Sequence, residues 1–256
     1  MRLLLISDLH ANLEAMETVM NAAPEYDMIA NLGDVVGYNA SPNEVCDHAV
    51  ALGGILVRGN HDRACCGLSD MSGFNPVAAI SARWTQMTLK PEHLQWLRDL
   101  PKGPIRHESL PGLEFVHGAP EDEDEYLLNV FSAEESFSMP AQAGIIFFGH
   151  THLQGGFVEE QSKIRQFAPA YNNVDKAAQF ELALRRGTRY LINPGSVGQP
   201  RDGDWRAAFA VYERNGDDDP GRVTFHRVPY EVKRAQERIL EANLPPRLAM
   251  RLQLGR

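Results

Sequence analysis

Residues 3–10 read LLLISDLH, an apolar run that ends in an Asp-x-His motif. Short apolar runs bounded by glycine or polar residues predict buried β-strands. Four further runs end in polar motifs: Gly33-Asp34, Gly59-Asn60-His61-Asp62, His117-Gly118 and Gly149-His150-Thr151-His152. In an open α/β sheet, the carboxyl ends of the strands open onto one ligand crevice. The scattered Asp, Asn and His side chains are therefore predicted to converge on a single site.

Composition limits the class of protein. A chain of 256 residues with 43% hydrophobic residues fits one large α/β domain, or such a domain with a small cap. The net charge of -9 disfavours polymeric nucleic acid, because binding its backbone needs clusters of Lys and Arg. The three cysteines form no CxxC pattern, which favours reduced thiols and a cytoplasmic protein. The apolar run at residues 3–6 is too short for a signal peptide, and no run approaches transmembrane length.

The first half of the chain is predicted to alternate strand and helix. Asn12 can cap a helix after the first motif, and Ser41-Pro42 begins another, with Glu44 completing a capping box. Two helices are expected between residues 74 and 100, and a helical segment over about 230–253. Strands that alternate with helices indicate parallel crossover connections.

The second half is predicted to be mostly β-structure. Strand-like segments lie near residues 103–108, 113–117, 145–148, 155–158, 163–168, 189–193, 206–213 and 222–228. Most are too close together for helices between them, so they indicate a meander. The predicted fold is an α/β four-layer sandwich of two facing mixed β-sheets flanked by helices. We expect a single domain over residues 1–256, with room for a small helical cap around residues 67–102.

The five motifs supply carboxylate, amide and imidazole ligands, which suit borderline divalent cations. In this order they resemble the motifs of the calcineurin-like metallophosphoesterase superfamily: Asp-x-His, Gly-Asp, Gly-Asn-His-(Asp/Glu), a lone His and Gly-His-x-His. The resemblance covers residues 8–152. The segment from Asn193 to Arg201 extends it to small bacterial phosphoesterases, including phosphodiesterases. It implies the calcineurin-like phosphoesterase fold and a centre of two metal ions.

The resemblance also implies a role for each ligand. The first metal would be bound by Asp8, His10 and His152, and the second by Asn60, His117 and His150. Asp34 would bridge the two metals. His61 is implied as the proton donor to the leaving oxygen, a task that suits the pKa of histidine. Two divalent ions are expected as cofactors, with Mn²⁺ favoured and Fe or Zn²⁺ also compatible.

Some neighbouring residues depart from the family pattern or leave alternatives open. The segment after Asp34 lacks the acid and arginine of Ser/Thr protein phosphatases, which disfavours that activity. Arg58, Arg63 and Arg201 flank motifs, where an arginine can bind phosphate or form a salt bridge, and Arg201 is the favoured substrate-binding candidate. The acidic run Glu121–Glu125 is either a solvated segment or a lid over a positive metal site. Gly195–Gly198 is either a tight turn or a rim whose N–H groups face phosphate.

The sequence thus predicts a binuclear metal-dependent hydrolase of phosphate esters, either a phosphodiesterase or a general phosphoesterase acting on small substrates. The alternative enzyme is a nucleotide or dinucleoside polyphosphate phosphatase. The alternative of another class is a non-catalytic metal-binding scaffold, which the presence of His61 and of all seven implied ligands disfavours. A small phosphate ester is the expected partner, and a membrane is not.

Overall fold

The computed structural model describes residues 1–138, 143–216 and 219–256. The strands of the described residues are β1 (Arg2–Ile6), β2 (Met28–Asn31), β3 (Ile55–Leu56), β4 (Leu113–Phe115), β5 (Ile145–Phe147), β6 (Gly155–Glu160), β7 (Lys163–Phe167), β8 (Ala178–Ala183), β9 (Arg189–Asn193), β10 (Ala207–Glu213) and β11 (Arg222–Val228). The helices are α1 (Leu13–Ala22), α2 (Pro42–Leu52), α3 (Asn60–Cys65), α4 (Pro76–Thr88), α5 (Pro91–Asp99), α6 (Val130–Ser138), α7 (Val232–Glu241) and α8 (Pro246–Leu254).

The strands form two mixed sheets. The first has the order β3-β2-β1-β10-β11-β8, in which β1, β2 and β3 are parallel and the other pairings are antiparallel. The second has the order β4-β5-β9-β6-β7, in which β4, β5 and β9 are parallel. Each sheet therefore has a parallel half, and the predicted motifs follow the strands of these halves.

Alternation along β1 explains the layers. Successive side chains of a strand point to opposite faces. Leu3 and Leu5 pack into the cluster between the sheets with Phe115 and Phe147. Leu4 and Ile6 pack into a second cluster with the helices α1, α2, α7 and α8. A third cluster places α6 against the outer face of the second sheet. The predicted four-layer sandwich of two facing mixed sheets is confirmed.

Local signals account for several helix boundaries. The Asn12 side chain accepts from the backbone N–H of Ala15 and caps α1 as predicted. Ser41 precedes α2, but its side chain makes no capping hydrogen bond, so the predicted capping box is wrong. The helices α4 and α5 form where two helices were predicted, and their buried residues, such as Ala82 and Leu97, join the cluster on the helical face of the first sheet.

Several elements differ from prediction. The strand β8 was missed, although its polar and apolar residues alternate as in a half-buried strand. The helix α6 was also missed, although Asn129 accepts from the N–H groups of Phe131 and Ser132 at its start. Residues 103–108 contribute a single bridge, between Ile105 and Phe115, rather than a strand. The C-terminal helical segment is divided into α7 and α8. Within the described residues, no helix combines the length and apolar character needed to cross a bilayer.

Candidate metal centre

The predicted ligands meet where the parallel strands of both sheets end. Asp8 and His10 follow β1, Asp34 follows β2 and Asn60 follows β3, all in the first sheet. His117 follows β4, while His150 and His152 follow β5, in the second sheet. The aspartates and histidines among the predicted ligands are all buried, with at most 2% of each residue exposed. The site is thus assembled from loops at the carboxyl ends of strands in both sheets.

The first group of potential ligands comprises Asp8, His10, Asp34 and His152, whose ligand atoms lie within 4.8 Å of one another. His152 Nε2 lies 3.4 Å from Asp8 Oδ1, and His10 Nε2 lies 3.6 Å from Asp34 Oδ2. His10 Nε2 and His152 Nε2 are 3.1 Å apart. This group contains the three residues implied for the first metal together with the implied bridge.

The second group comprises Asp34, His117 and His150. His117 Nε2 lies 3.4 Å from Asp34 Oδ2 and 3.3 Å from the amide oxygen of Asn60. Asp34 belongs to both groups, as a bridging carboxylate must. The structure thus brings together all seven residues that the sequence implied as ligands.

Hydrogen bonds to the backbone determine which imidazole nitrogen faces the site. A carbonyl oxygen can only accept, so the nitrogen that faces it must carry the proton. Three rings donate an Nδ1–H in this way: His10 to Val36 at 3.0 Å, His117 to Leu32 at 2.8 Å and His152 to Gln199 at 2.5 Å. His150 instead donates its Nε2–H to the Asp124 carbonyl at 3.1 Å and leaves Nδ1 without a protein partner.

These tautomers leave electron pairs directed at one another. Burial lowers the pKa of His10 and that of His152 well below the usual value, so both rings are neutral. With Nδ1 protonated, the two Nε2 lone pairs face each other across 3.1 Å without a proton between them. Asp8 Oδ2 is also buried without a hydrogen-bond partner. A divalent cation satisfies all of these donors, so the residues present fit the implied metals.

The second group carries a positive charge of its own. Burial opposes the imidazolium of His117, but the Asp34 carboxylate outweighs burial and raises the pKa of His117 to about 10. Burial likewise favours neutral Asp34, yet the charge and the hydrogen bond of His117 hold the pKa of Asp34 well below its usual value. Burial raises the pKa of Asp8 to about 7. In the protein alone, a proton on His117 therefore supplies the positive charge that Asp34 requires.

The backbone at the ligands is strained. Five of them have positive φ angles: Asp8 (54°), His10 (47°), Asp34 (54°), His150 (65°) and His152 (60°). Residues other than glycine rarely adopt this region, and each instance costs on the order of 1–3 kcal/mol. Such strain persists where surrounding contacts enforce it, and it is concentrated at functional sites. The conformation of these loops thus holds the ligands in place.

Two motif glycines are required by close approach of the loops. A Cβ at position 59 would lie 2.1 Å from Asp34 Oδ1, and one at position 149 would lie 2.1 Å from the Ser7 hydroxyl oxygen. Real Cβ atoms do not approach oxygen this closely, so any side chain here would displace Asp34 or the β1 loop. Gly59 and Gly149 therefore belong to the geometry of the site although neither can bind a metal.

Asp62, whose role the sequence left open, connects two of the ligand loops. Its Oδ2 accepts the backbone N–H of Asp34 at 2.9 Å and that of Gly59 at 3.0 Å. Its Oδ1 accepts from Val35 at 2.8 Å and Val36 at 3.2 Å. A fully buried carboxylate with four backbone donors orients the loop. Asp62 thus positions Asp34, the residue common to both groups of potential ligands.

The segment Gly195–Gly198 is a tight turn rather than a phosphate rim. The N–H groups of Val197 and Gly198 donate to the carbonyls of Ser7 and Asp8, at 3.0 and 2.9 Å. The Ser196 hydroxyl donates to the Asp8 carbonyl at 2.8 Å. These N–H groups are committed within the protein, so they are not available to a substrate. The turn fixes the β1 loop instead.

Comparison with known proteins identifies the family. Residues 1–217 match the calcineurin-like phosphoesterase superfamily domain. The chain belongs to this superfamily. Over 98% of its length it is 35% identical to the uncharacterized protein MJ0912 of Methanocaldococcus jannaschii, 97% of which is covered. The family resemblance drawn from the five motifs is thereby confirmed.

Two solved structures are similar to this chain over its whole length. The crystal structure of a metallophosphoesterase from Sphaerobacter thermophilus is similar over 100% of this chain and 99% of its own, with a TM-score of 0.83 and 39% identity. The hypothetical protein PH1004 from Pyrococcus horikoshii OT3 matches over 100% of this chain and 98% of its own, with a TM-score of 0.73 and 18% identity. The second likeness demonstrates a shared fold.

In this superfamily member, a cleft of about 330 Å³ opens beside the metal-ligand cluster. Asn60, His61 and His150 lie on its wall, and the remaining lining includes the aromatic rings of Tyr38, Phe74 and Tyr126. The cleft is within the size range of small-molecule sites. None of the three aromatic residues was found from the sequence, because a lone aromatic residue outside a motif resembles any core residue.

His61 lies between two aromatic rings in this cleft. Its ring centroid is 4.4 Å from that of Tyr38 and 4.5 Å from that of Phe74. Its backbone N–H donates to Asp34 Oδ1 at 2.8 Å, which ties the residue to the bridging carboxylate. Burial lowers the pKa of His61 to about 4, so the ring is neutral in the protein alone. The His61 ring is thus fixed by its neighbours at a position next to the ligand cluster but not part of it.

The acidic run lies at the mouth of the cleft. Glu123 pairs with both Arg58 and Arg63, and Asp124 pairs with Arg63 at 2.7 Å. The Asp124 carbonyl accepts from His150, and Tyr126 stacks on the His150 ring with centroids 3.7 Å apart. The run therefore touches the site through the Asp124 carbonyl, and its role as a lid stays a prediction. Arg58 and Arg63 form ion pairs with these acids, which agrees with the salt-bridge alternative for both arginines.

Arg201 lies beside the cluster, close to several ligands. Its backbone N–H donates to the His152 carbonyl at 3.2 Å. Its guanidinium donates to the Tyr38 hydroxyl at 3.3 Å and to the Gln199 side chain at 3.2 Å. The Nε atom is buried without a partner. Of the three arginines that flank motifs, Arg201 alone has no acidic partner among the described residues.

Proposed function

We propose that this chain is a binuclear metal-dependent hydrolase of small phosphate esters, with phosphodiesters as the favoured class. The observation that carries the proposal is the pair of buried ligand groups that share Asp34. The facing lone pairs of His10 and His152 support the first metal position, and the free Nδ1 of His150 supports the second. Asn60, beside His117, completes the second set.

The roles of the ligands follow from their positions in the two groups. One ion would be held by Asp8, His10 and His152, and the other by Asn60, His117 and His150. Asp34 would bind both ions. When bound, two divalent cations would withdraw charge from the phosphoryl oxygens and lower the pKa of a water molecule. The preference for Mn²⁺ over Fe or Zn²⁺ rests on the resemblance, because the nitrogen and oxygen donors accept all three.

His61 would donate the proton to the leaving oxygen. Its ring is held by Tyr38 and Phe74 at the cleft wall, beyond the ligand atoms. Burial keeps the ring neutral in the protein alone. A phosphate group beside the ring adds negative charge, which favours the imidazolium and raises its pKa. Substrate binding would thus prepare the acid that the reaction consumes.

A small substrate is supported by the cleft and by charge. The cleft of about 330 Å³ admits a nucleotide-sized molecule rather than a polymer. The acidic run Glu121–Glu125 borders this opening, and the chain carries a net charge of -9. Both disfavour a long polyanion. The reduced, buried cysteines accord with the proposed cytoplasmic location.

One experiment tests the proposal through its bridging ligand. Wild-type protein with saturating Mn²⁺ is expected to bind two ions per chain and to hydrolyse bis-nitrophenyl phosphate. Asp34→Asn removes a carboxylate shared by both groups, so both ions and the activity should be lost. Metal content by elemental analysis and release of nitrophenol measure the two effects. Asp175→Asn, an exposed acid, is the matched control.

The outcomes separate the proposal from its alternatives. Binding of two ions without hydrolysis of phosphomonoesters, diesters or nucleotides would instead support a metal-binding scaffold. No more than one bound ion at saturation would refute the binuclear centre.

A further inference from the structure

Two arginines pack on Tyr38 beside the metal-ligand cluster. Arg201 Nη2 donates to the Tyr38 hydroxyl at 3.3 Å, and the guanidinium of Arg251 of α8 lies over the same ring. The two guanidinium carbons lie 5.5 and 5.8 Å from the centroid of the Tyr38 ring. Tyr38 packs in turn on the rings of His10 and His61. One aromatic ring therefore separates this rim pair, Arg201 and Arg251, from the site.

The position of Arg251 is built into the fold. Gly203, two residues after Arg201, donates its N–H to the carbonyl of Gly255 at 3.0 Å. A Cβ on Gly255 would lie 2.7 Å from the backbone nitrogen of Asp204, so the end of α8 is pressed against this turn. Arg251 Nε donates to the Arg256 carbonyl at 2.7 Å. These contacts hold the last turn of α8 against the turn that carries Arg201.

The rim pair has no acidic side chain as a partner within the described part of the chain. No Asp or Glu there forms an ion pair with either guanidinium, whereas Arg58 and Arg63 both pair with Glu123. Burial and the neighbouring charge of Arg201 lower the pKa of Arg251. Two cations that lie over one neutral aromatic ring repel each other, and an anion between them would relieve the repulsion.

From this arrangement we infer that the rim pair binds a second phosphate group of the substrate, next to the phosphate ester that is cleaved. The inference rests on the proposed function and narrows it to esters that carry a further phosphate. A phosphate dianion offers two charges and three acceptor oxygens, which matches two guanidinium groups. Arg251 is thus a specificity-determining residue outside the matched domain of residues 1–217.

A matched pair of substrates tests the inference on the metal-loaded full chain. The first is the nitrophenyl ester of thymidine 5′-phosphate, and the second carries an additional phosphate on the 3′ oxygen. The wild-type enzyme should favour the second ester. Arg251→Ala should reduce this preference in kcat/KM by about 10- to 100-fold, mainly through KM, as expected for loss of a charge-assisted hydrogen bond. Arg251→Lys keeps the charge but lacks the paired N–H donors of a guanidinium group, so it should restore part of the preference for the second ester.

Arg247→Ala provides the control, because it removes the same charge from an exposed position one turn earlier in α8. Equal changes in preference for Arg247→Ala and Arg251→Ala would overturn the inference, as would an equal loss of kcat on both esters. Hydrolysis of neither ester by the wild type would contradict the proposed function instead. Calorimetric titration of the metal-loaded protein with inorganic pyrophosphate then decides the inference: weaker binding by Arg251→Ala supports it, and an unchanged Kd refutes it.

Discussion

At the scale of the residue, His61 illustrates how packing separates a proposed proton donor from the metal ligands. Tyr38 contacts both His61 and His10, with ring centroids at 4.4 and 4.7 Å, so one side chain fixes the spacing of the two imidazoles. A Cβ at Gly37 would lie 2.5 Å from His61 Nδ1, so the absence of a side chain at that position makes room for the ring. His61 is thereby fixed at the cleft wall, outside both groups of potential ligands.

Replacing His61 tests this separation of roles. His61→Ala should lower turnover by about 10²–10⁴-fold, the usual effect of losing a general acid. Metal content should be nearly unchanged, because the seven proposed ligands remain. The loss should be smaller for nitrophenyl than for alkyl leaving groups, since a good leaving group needs little protonation. Equal losses for the two classes of leaving group, measured by kcat/KM, would refute the assignment.

At the scale of the element, the loop that carries the acidic run joins the cleft mouth to α3 and the preceding turn. Glu123 is the centre of this attachment, because its carboxylate pairs with both Arg58 and Arg63. Its side chain is only 11% exposed, so the pairs are screened less than surface ion pairs. The loop then presents Tyr126 to the His150 ring. Ion pairs outside the cleft thus determine how an aromatic ring lies inside it.

Glu123→Gln tests the attachment. The substitution keeps the shape of the side chain but removes the carboxylate that pairs with both partly buried guanidinium groups, and only Arg63 keeps an acidic partner, Asp124. We expect the free energy of unfolding to fall by about 1–3 kcal/mol in urea denaturation. KM should rise more than kcat falls, because the loop lines the cleft but carries no proposed ligand. Glu125→Gln, an exposed neighbour in the same run, should change neither quantity. Similar effects of the two substitutions would show that the run acts only through its net charge.

The sequence predicted the elements whose signals are local. Asp8, Asp34 and His117 each follow a short apolar strand, and the ends of parallel strands meet, so the convergence of the ligands could be anticipated. The contact of Tyr126 with His150 could not, because it depends on how a long loop is anchored by distant arginines. Arg251 was missed for a similar reason: no local pattern connects α8 with the turn at Arg201. The single domain with a small cap stays a prediction.

At the scale of the whole molecule, the metal centre lies across the boundary between the two sheets. The first group of ligands takes Asp8, His10 and Asp34 from loops of the first sheet and His152 from the second. The second group joins Asp34 to His117 and His150 of the second sheet. The buried Asp8 Oδ2 and the facing imidazoles of His10 and His152 are poorly compensated by protein alone. Bound ions should therefore stabilise the association of the sheets as well as the local loops.

Removing the metal should thus lower the stability of the entire fold. An ion present at 100 times its Kd stabilises the folded state by about 2.7 kcal/mol, which for a chain of this size raises the Tm by about 5–10 °C. Chelation should reverse this shift in wild-type protein, as measured by calorimetry with and without Mn²⁺. Asp34→Asn should lose most of the metal-induced shift, because its carboxylate serves both groups of ligands, while Asp175→Asn should retain it. If the Tm of the wild type proved independent of metal, the cations would not connect the two sheets, and their effect would have to be confined to the ligand loops.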